Sequence, residues 1–180
     1  MYKTCEGGTK EVELRRYSFD VRAFILLRVL AAFLGYEYRE RHQRIGKNVI
    51  MQPVLSKLSE EQLAELGIVR LPQDFLLPSL KEKGIAIWIL TKSKLKRLTG
   101  VDDKSLSKTL ALLERRGIIR RRDINLLKVG IAVAKQRGVK VSLTKVNARE
   151  VYHLEPGEYE NICKVVEMLC KILNVKKEEL

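Results

Sequence analysis

The sequence predicts a mainly α fold with a small β-wing. Three observations lead there. Apolar residues recur at helical spacing over most of the length, the strand-like runs are short and fall between residues 118 and 154, and glycine or proline separates the runs. Hydrophobic residues make up 46% of the 180 and charged residues 32%, which is enough for a core and unlike a disordered chain. The organisation expected is an N-terminal helical region over 1–84, a central module over 85–155 and a C-terminal helix over 156–180.

Residues 1–16, with Gly7-Gly8 and mixed charges, read as irregular. Ser18 is a good N-cap and Asp20 suits a first turn, so a helix is expected to start there and run through Phe24, Leu27, Leu30 and Leu34 to Arg44. Its 24–34 segment is apolar on nearly every side, and such a helix must be buried on several sides. A second copy covering part of it makes the expected assembly a homodimer, with residues 1–84 as the pairing region.

Pro53, Pro72 and Pro78 punctuate the next region. Ser59 and Gln62 form a capping-box pattern opening a helix over 59–66, which Gly67 ends. Pro78 opens another helix that Gly84 ends, and the run from Ile85 to Leu90 fits either a short strand or helical turns.

From Thr91 the signals are closely spaced. Thr91 or Lys92 starts a short helix with Leu95 and Leu98 inward, and Gly100 stops it. Val101-Asp102-Asp103 forms a turn in which Asp102 caps a second helix, with Leu106, Leu110 and Leu113 on one face and Gly117 as its end. Ile118 to Arg122 reads as a strand, Asp123 to Arg137 as an inserted helix stopped by Gly138, and Val139 to Leu143 with Glu150 to Leu154 as two further strands joined by a wing loop. Pro156-Gly157-Glu158 opens the last helix, with Ile162, Val166, Leu169 and Leu173 on one stripe.

Thirty-five Lys and Arg against 22 Asp and Glu leave a net charge of +13, a potential that attracts polyanions. Charge alone also fits a ribosomal or membrane-surface role. Cys5, Cys163, Cys170, His42 and His153 form no C-x-x-C pair and are too scattered for a zinc module, so Cys163 and Cys170 are expected as apolar thiols on one helix face. Gly7-Gly8 and Ile45-Gly46-Lys47 do not make a phosphate loop, and His153 with Glu150 is expected to be structural. With no nucleophile, base and orienting group in view, the chain is not expected to be an enzyme, and no metal or cofactor is expected. The N-terminus lacks an apolar signal run, and Phe24 to Leu34 is interrupted by Arg28 and too short for a bilayer, so the expected location is cytoplasmic, with no membrane partner. A composition rich in Lys, Arg, Glu, Ile, Val and Leu leans towards a thermophile.

The string Leu90 to Arg122, LTKSKLKRLTGVDDKSLSKTLALLERRGIIRRR, resembles the winged helix-turn-helix of archaeal and bacterial transcription regulators, MarR-like proteins among them. Those families carry a Leu-Glu-x-x-Gly-hydrophobic-Ile segment leading into the wing, matched here by Leu113 to Ile119. Two features depart from the pattern. Lys96 stands where a small residue is usual, and residues 123–138 are inserted before the wing. The resemblance implies a sequence-specific, double-stranded DNA-binding protein, a dimeric transcription regulator. The alternative is a non-catalytic winged-helix subunit of a replication, transcription or RNA-processing complex. A small-molecule effector between the helical extensions and the motif would suit a regulator, though no residue names it.

On that reading Lys104, Ser105, Ser107 and Lys108 face outward from the second helix to meet base edges or phosphates. Lys92, Lys94, Arg97 and Arg121 contact the backbone, and Lys145 and Arg149 occupy the wing tip.

Overall fold

The computed structural model describes residues 21–42, 47–140 and 148–178, and they form an α/β fold with two small sheets. The mainly α expectation fails first near residue 34. Helix α1 (residues 21–33) does not run on to Arg44. Instead, Gly35 takes φ 92° and the chain enters strand β1 (Tyr36–His42), which pairs antiparallel with β2 (Lys47–Pro53). Two physical reasons decide this. A Cβ at Gly35 would stand 3.0 Å from Trp88 Nε1, so only glycine allows the close approach and the left-handed turn together. From Tyr36 onward the apolar period changes to two, with Tyr36 and Tyr38 packed on the core and Arg39 and Arg41 exposed.

Helix α2 (Glu60–Glu65) carries the expected capping box. Ser59 Oγ accepts from the Gln62 amide at 3.2 Å, and Gln62 Oε1 accepts from the Ser59 amide at 3.0 Å. A two-residue strand β3 (Val69–Arg70) comes next, then α3 (Pro78–Glu82) with Pro78 at its start, and β4 (Trp88–Thr91), which settles the 85–90 run as leading into a strand. Beyond it lie α4 (Lys92–Thr99), α5 (Asp103–Arg115), β5 (Ile119–Asp123), the inserted helix α6 (Asn125–Gln136), β6 (Glu150–Leu154), a 3-10 turn over Pro156–Glu158, α7 (Tyr159–Ile172) and β7 (Lys176–Lys177).

One sheet has the order β1-β2-β7, with β7 parallel to β2, and the other the order β3-β4-β6-β5, antiparallel throughout. In the second sheet Leu90 faces Tyr152 across one edge of β6, and Ile119 faces Leu154 across the other. Both hydrogen-bonding edges of β6 are therefore occupied. The sequence expects a further strand over 139–143. Its residues 141–143 lie outside the described residues, as does the joining loop to 147, while Val139 and Lys140 are not in a strand.

Much of the all-round apolar segment is covered within one chain. Leu27, Val29, Ala31 and Ala32 are completely buried, with Leu30 and Phe33 almost so. Phe24, Ile25, Leu26 and Leu34 are half-buried, packed against the same core. The stripe on α7 is likewise used internally, with Ile162, Val166 and Leu169 buried. The Arg28 guanidinium lies 3.6 Å from the Tyr38 ring centre and 4.7 Å from that of Phe24, so a cation inside the apolar segment fastens α1 to β1.

Two phenols in this framework resist ionisation. Burial, and then a hydrogen bond donated to the Glu40 carboxylate, pushes Tyr38 up to about 12. Burial, and then the neighbouring Cys163, pushes Tyr159 up to about 12. A raised folded-state value means that the neutral form is favoured by folding. The associated stability is complete below the ordinary phenol value of 10.0 and is lost as pH rises towards 12. Alkaline titration followed at the phenolate absorbance should show these two groups ionising late, together with loss of helix. Two ordinary transitions near 10 with the fold intact would contradict it.

Candidate nucleic-acid interface

The segment from β4 to β6 places most of the charged residues singled out by sequence. Thr91 ends β4 and caps α4, its Oγ1 accepting from the Lys94 amide at 3.3 Å. Gly100 closes α4 in the left-handed region at φ 63°. Thr99 is buried and locks the turn, its hydroxyl donating to the Leu95 carbonyl at 2.7 Å and accepting from the Val101 amide at 3.3 Å. Val101 is buried beside it. Asp102 Oδ2 accepts from the Ser105 amide at 3.0 Å and opens α5. The bonds from Ser105 hold the Asp102 carboxyl below the usual carboxylate range.

Leu106, Leu110 and Leu113 of α5 are buried, so its opposite face is fixed towards solvent. At 3.6 residues per turn that face is Lys104, Lys108, Ala111 and Arg115, a run at i, i+4, i+7 and i+11, and all four are exposed. Lys104 and Lys108 are the outward lysines expected from sequence, and Arg115 is a missed third member. The same spacing taken one turn further would have found it.

Ser105 is not an outward position. It is half-buried and belongs to the Asp102 cap. Its carbonyl also accepts from the Thr109 hydroxyl at 2.8 Å. Ser107 is exposed but engaged. Lys92 Nζ donates to Ser107 Oγ and sits 3.3 Å from Asp103 Oδ1, so Lys92 and Ser107 join the start of α4 to the first turns of α5. Lys94 is half-buried, and burial, then the charge of Arg97, hold its amine below the usual lysine range. Arg97 is exposed on the same helix, and so is Lys96, whose long side chain reaches solvent rather than the helix–helix contact.

Arg121 lies between two carboxylates, 3.3 Å from Glu114 and 3.4 Å from Glu150. Arg149 is exposed at the entry to β6. Its carbonyl accepts from the Ile124 amide at 3.0 Å, and it borders a shallow concavity with Arg122 and Asp123. Lys145 lies outside the described residues. The structure thus brings together Lys104, Lys108 and Arg115 in one stripe. It places Lys92, Ser105, Ser107 and Arg121 in internal contacts.

His153 is buried on β6, and Arg122 Nε donates to its Nε2 at 3.4 Å, which leaves Nδ1–H to donate to the Leu154 carbonyl at 3.0 Å. Burial pushes this imidazole below its ordinary value, so it is neutral near pH 7. Glu150 lies three residues away on the same strand, hence on its other face. Cys170 is buried and Cys163 half-buried, and burial raises both thiols. Among the described residues no three His, Cys, Asp or Glu side chains gather as metal ligands would, and no helix is long and apolar enough to cross a membrane. Comparison with known protein families, with curated proteins and with solved structures finds no match to this chain.

Proposed function

We propose that the chain binds double-stranded DNA through α5, acting as a transcription regulator without a catalytic step. The observation that carries this reading is the exposed stripe of Lys104, Lys108 and Arg115 on a helix whose opposite face is buried. What surrounds α5 supports it. The order β4-α4-α5-β5-β6, with β6 between β4 and β5, is the arrangement expected of a winged helix-turn-helix, with α6 inserted where the wing would turn. Thirteen residues of α5 span about 20 Å at 1.5 Å per residue, long enough to lie in a major groove about 12 Å wide. The net charge of +13 supplies a sequence-independent attraction.

Reading of paired half-sites calls for a homodimer. The apolar surface open to a second copy includes Met168 and Ile172 on α7. Sedimentation as a monomer at micromolar concentration on DNA carrying two half-sites would remove the dimer from this reading.

The test of the recognition helix is a paired titration of wild type and Lys108→Ala, on a selected duplex and on scrambled DNA, at two salt concentrations. If Lys108 meets a base edge, the variant loses about 1–3 kcal/mol on the selected site and less on scrambled DNA. Equal losses on both make Lys108 a phosphate contact. An absence of salt-dependent binding to any duplex refutes DNA binding and favours the protein-contacting subunit.

A further inference from the structure

A buried histidine lies next to the edge strand of the second sheet, and DNA binding through α5 makes no use of it. His153 on β6 is 1% exposed, and β5, which covers it along one side, has β6 as its only neighbour in the sheet. Arg120 is the cross-strand partner of His153, and Arg122 stands opposite Val151, two residues away on β6. Both arginines therefore share the face of the sheet that carries His153. The three arginines of β5 are held differently. Arg120 pairs with Glu155, and Arg121 with Glu114 and Glu150. Arg122 has no carboxylate within ion-pair reach among the described residues. Its Nε donates to His153 Nε2, and its guanidinium stands 5.8 Å from the centre of the Phe75 ring.

We propose that His153 and Arg122 form an acid-released latch on the edge strand β5. The ring accepts at Nε2 only while it is neutral, because Nδ1 keeps its proton for the Leu154 carbonyl. A second proton would lie on Nε2, turn one donor against another and put two cations together, with their nitrogens 3.4 Å apart. The other charged groups that reach the ring are Arg120, a further cation, and Glu155, which Arg120 already holds. Along the other edge of β6, β4 brings Trp88 to Thr91, none of them charged, and Asp74, on the turn that carries Phe75, is exposed. A protonated ring therefore needs water. β4 is fixed between β3 and β6, whereas β5 has one neighbour, so water enters from the β5 side. Arg120 and Arg122 swing out, and residues 120–123 part from β6. Burial first, and then the charges of Arg122 and Arg120, hold the closed ring below the ordinary value of 6.5. The closed strand is thus favoured above 6.5 and loses that advantage as pH falls, by up to about tenfold per pH unit. The latch acts on the free protein and does not rest on DNA binding.

The experiment is hydrogen exchange of the full chain at about pH 7.5 and about pH 5.5, corrected for the intrinsic rate and read by mass spectrometry. Residues 120–123 should exchange roughly tenfold faster at the lower pH, with α1 and α4 unchanged. His153→Gln keeps an acceptor for Arg122 and a donor for the Leu154 carbonyl but cannot titrate, so its exchange should be the same at both pH values. If that variant does not fold, the wild type still answers. The chain has two histidines, so proton NMR shows two imidazole titrations, and His42→Gln identifies the one that belongs to His153. That ring should titrate below 6.5. Titration of His153 at or above 6.5, or equal exchange at both pH values in wild type, would overturn the proposal. So would the same acid acceleration in His153→Gln, which would assign the effect to the carboxylates of Glu114, Glu150 and Glu155.

Discussion

A chain carrying Lys104→Ala, Lys108→Ala and Arg115→Ala together should bind duplex DNA roughly 10²–10³-fold more weakly than wild type at about 0.1 M salt. The magnitude comes from counterion release. Each phosphate neutralised contributes about 0.9 to the slope of log K against log salt, close to tenfold per contact at that concentration. Three cations on one exposed face can act together because Leu106, Leu110 and Leu113 hold α5 in a single orientation. The slope itself should flatten by roughly 2–3, which separates lost phosphate contacts from a damaged fold. Two comparisons sharpen the result. Lys81→Ala, on the exposed surface of α3, should leave affinity nearly unchanged. Lys92→Ala should flatten the slope less than Arg97→Ala, because Lys92 is already engaged with Asp103 and Ser107. A triple variant that binds like wild type would mean that α5 does not meet DNA.

The second large effect expected is on stability. Gly130→Val should destabilise the fold by about 1–3 kcal/mol, the usual cost of forcing extra atoms into a packed contact. A Cβ at Gly130 would stand 2.7 Å from Val69 Cγ2 and 3.2 Å from Val69 Cβ. Val69 is β-branched, buried and paired with Ile89 across β3 and β4, so it cannot swing aside. Helix propensity acts in the opposite direction, since glycine inside a helix costs up to about 1 kcal/mol relative to alanine, and it recovers only part of the loss. Val69→Ala combined with Gly130→Val should restore stability beyond the sum of the two changes, which urea denaturation of the four proteins would measure as a coupling energy. Additive effects would show that α6 does not rest on β3 through this glycine.

Local chemistry made much of the candidate site legible. Thr91 and Asp102 announce helix starts because their side chains satisfy amides that no helical carbonyl reaches, and both do so. Gly100, Gly117 and Gly138 announce ends because each lies at positive φ. The leucine spacing of α5 fixes its buried face, and the opposite stripe is then a matter of arithmetic, Arg115 included. Interactions between groups distant in sequence were not legible. Nothing within a few residues of Lys92 shows that its amine will meet Ser107, fifteen positions on, or that Arg121 will sit between Glu114 and Glu150.

The same division holds for the fold. The helices α2 to α7, the caps Ser59, Thr91 and Asp102, and the buried faces of α4, α5 and α7 were written in the amino-acid order, because they depend on contacts within a turn or two of the chain. The first helix was overextended because its apolar run continues into Tyr36 and Tyr38, residues suited equally to helix and strand. A long-range contact turns them into a hairpin, since Gly35 must pass close to Trp88, more than fifty positions away. Strand pairing was decided the same way. Each β edge accepts one partner, and β6 gave its two edges to β4 and β5, which no local pattern records. Burial of Leu27 and of Val29 to Phe33 inside one chain was the third such decision, because an apolar surface records that it will be covered and leaves open by what.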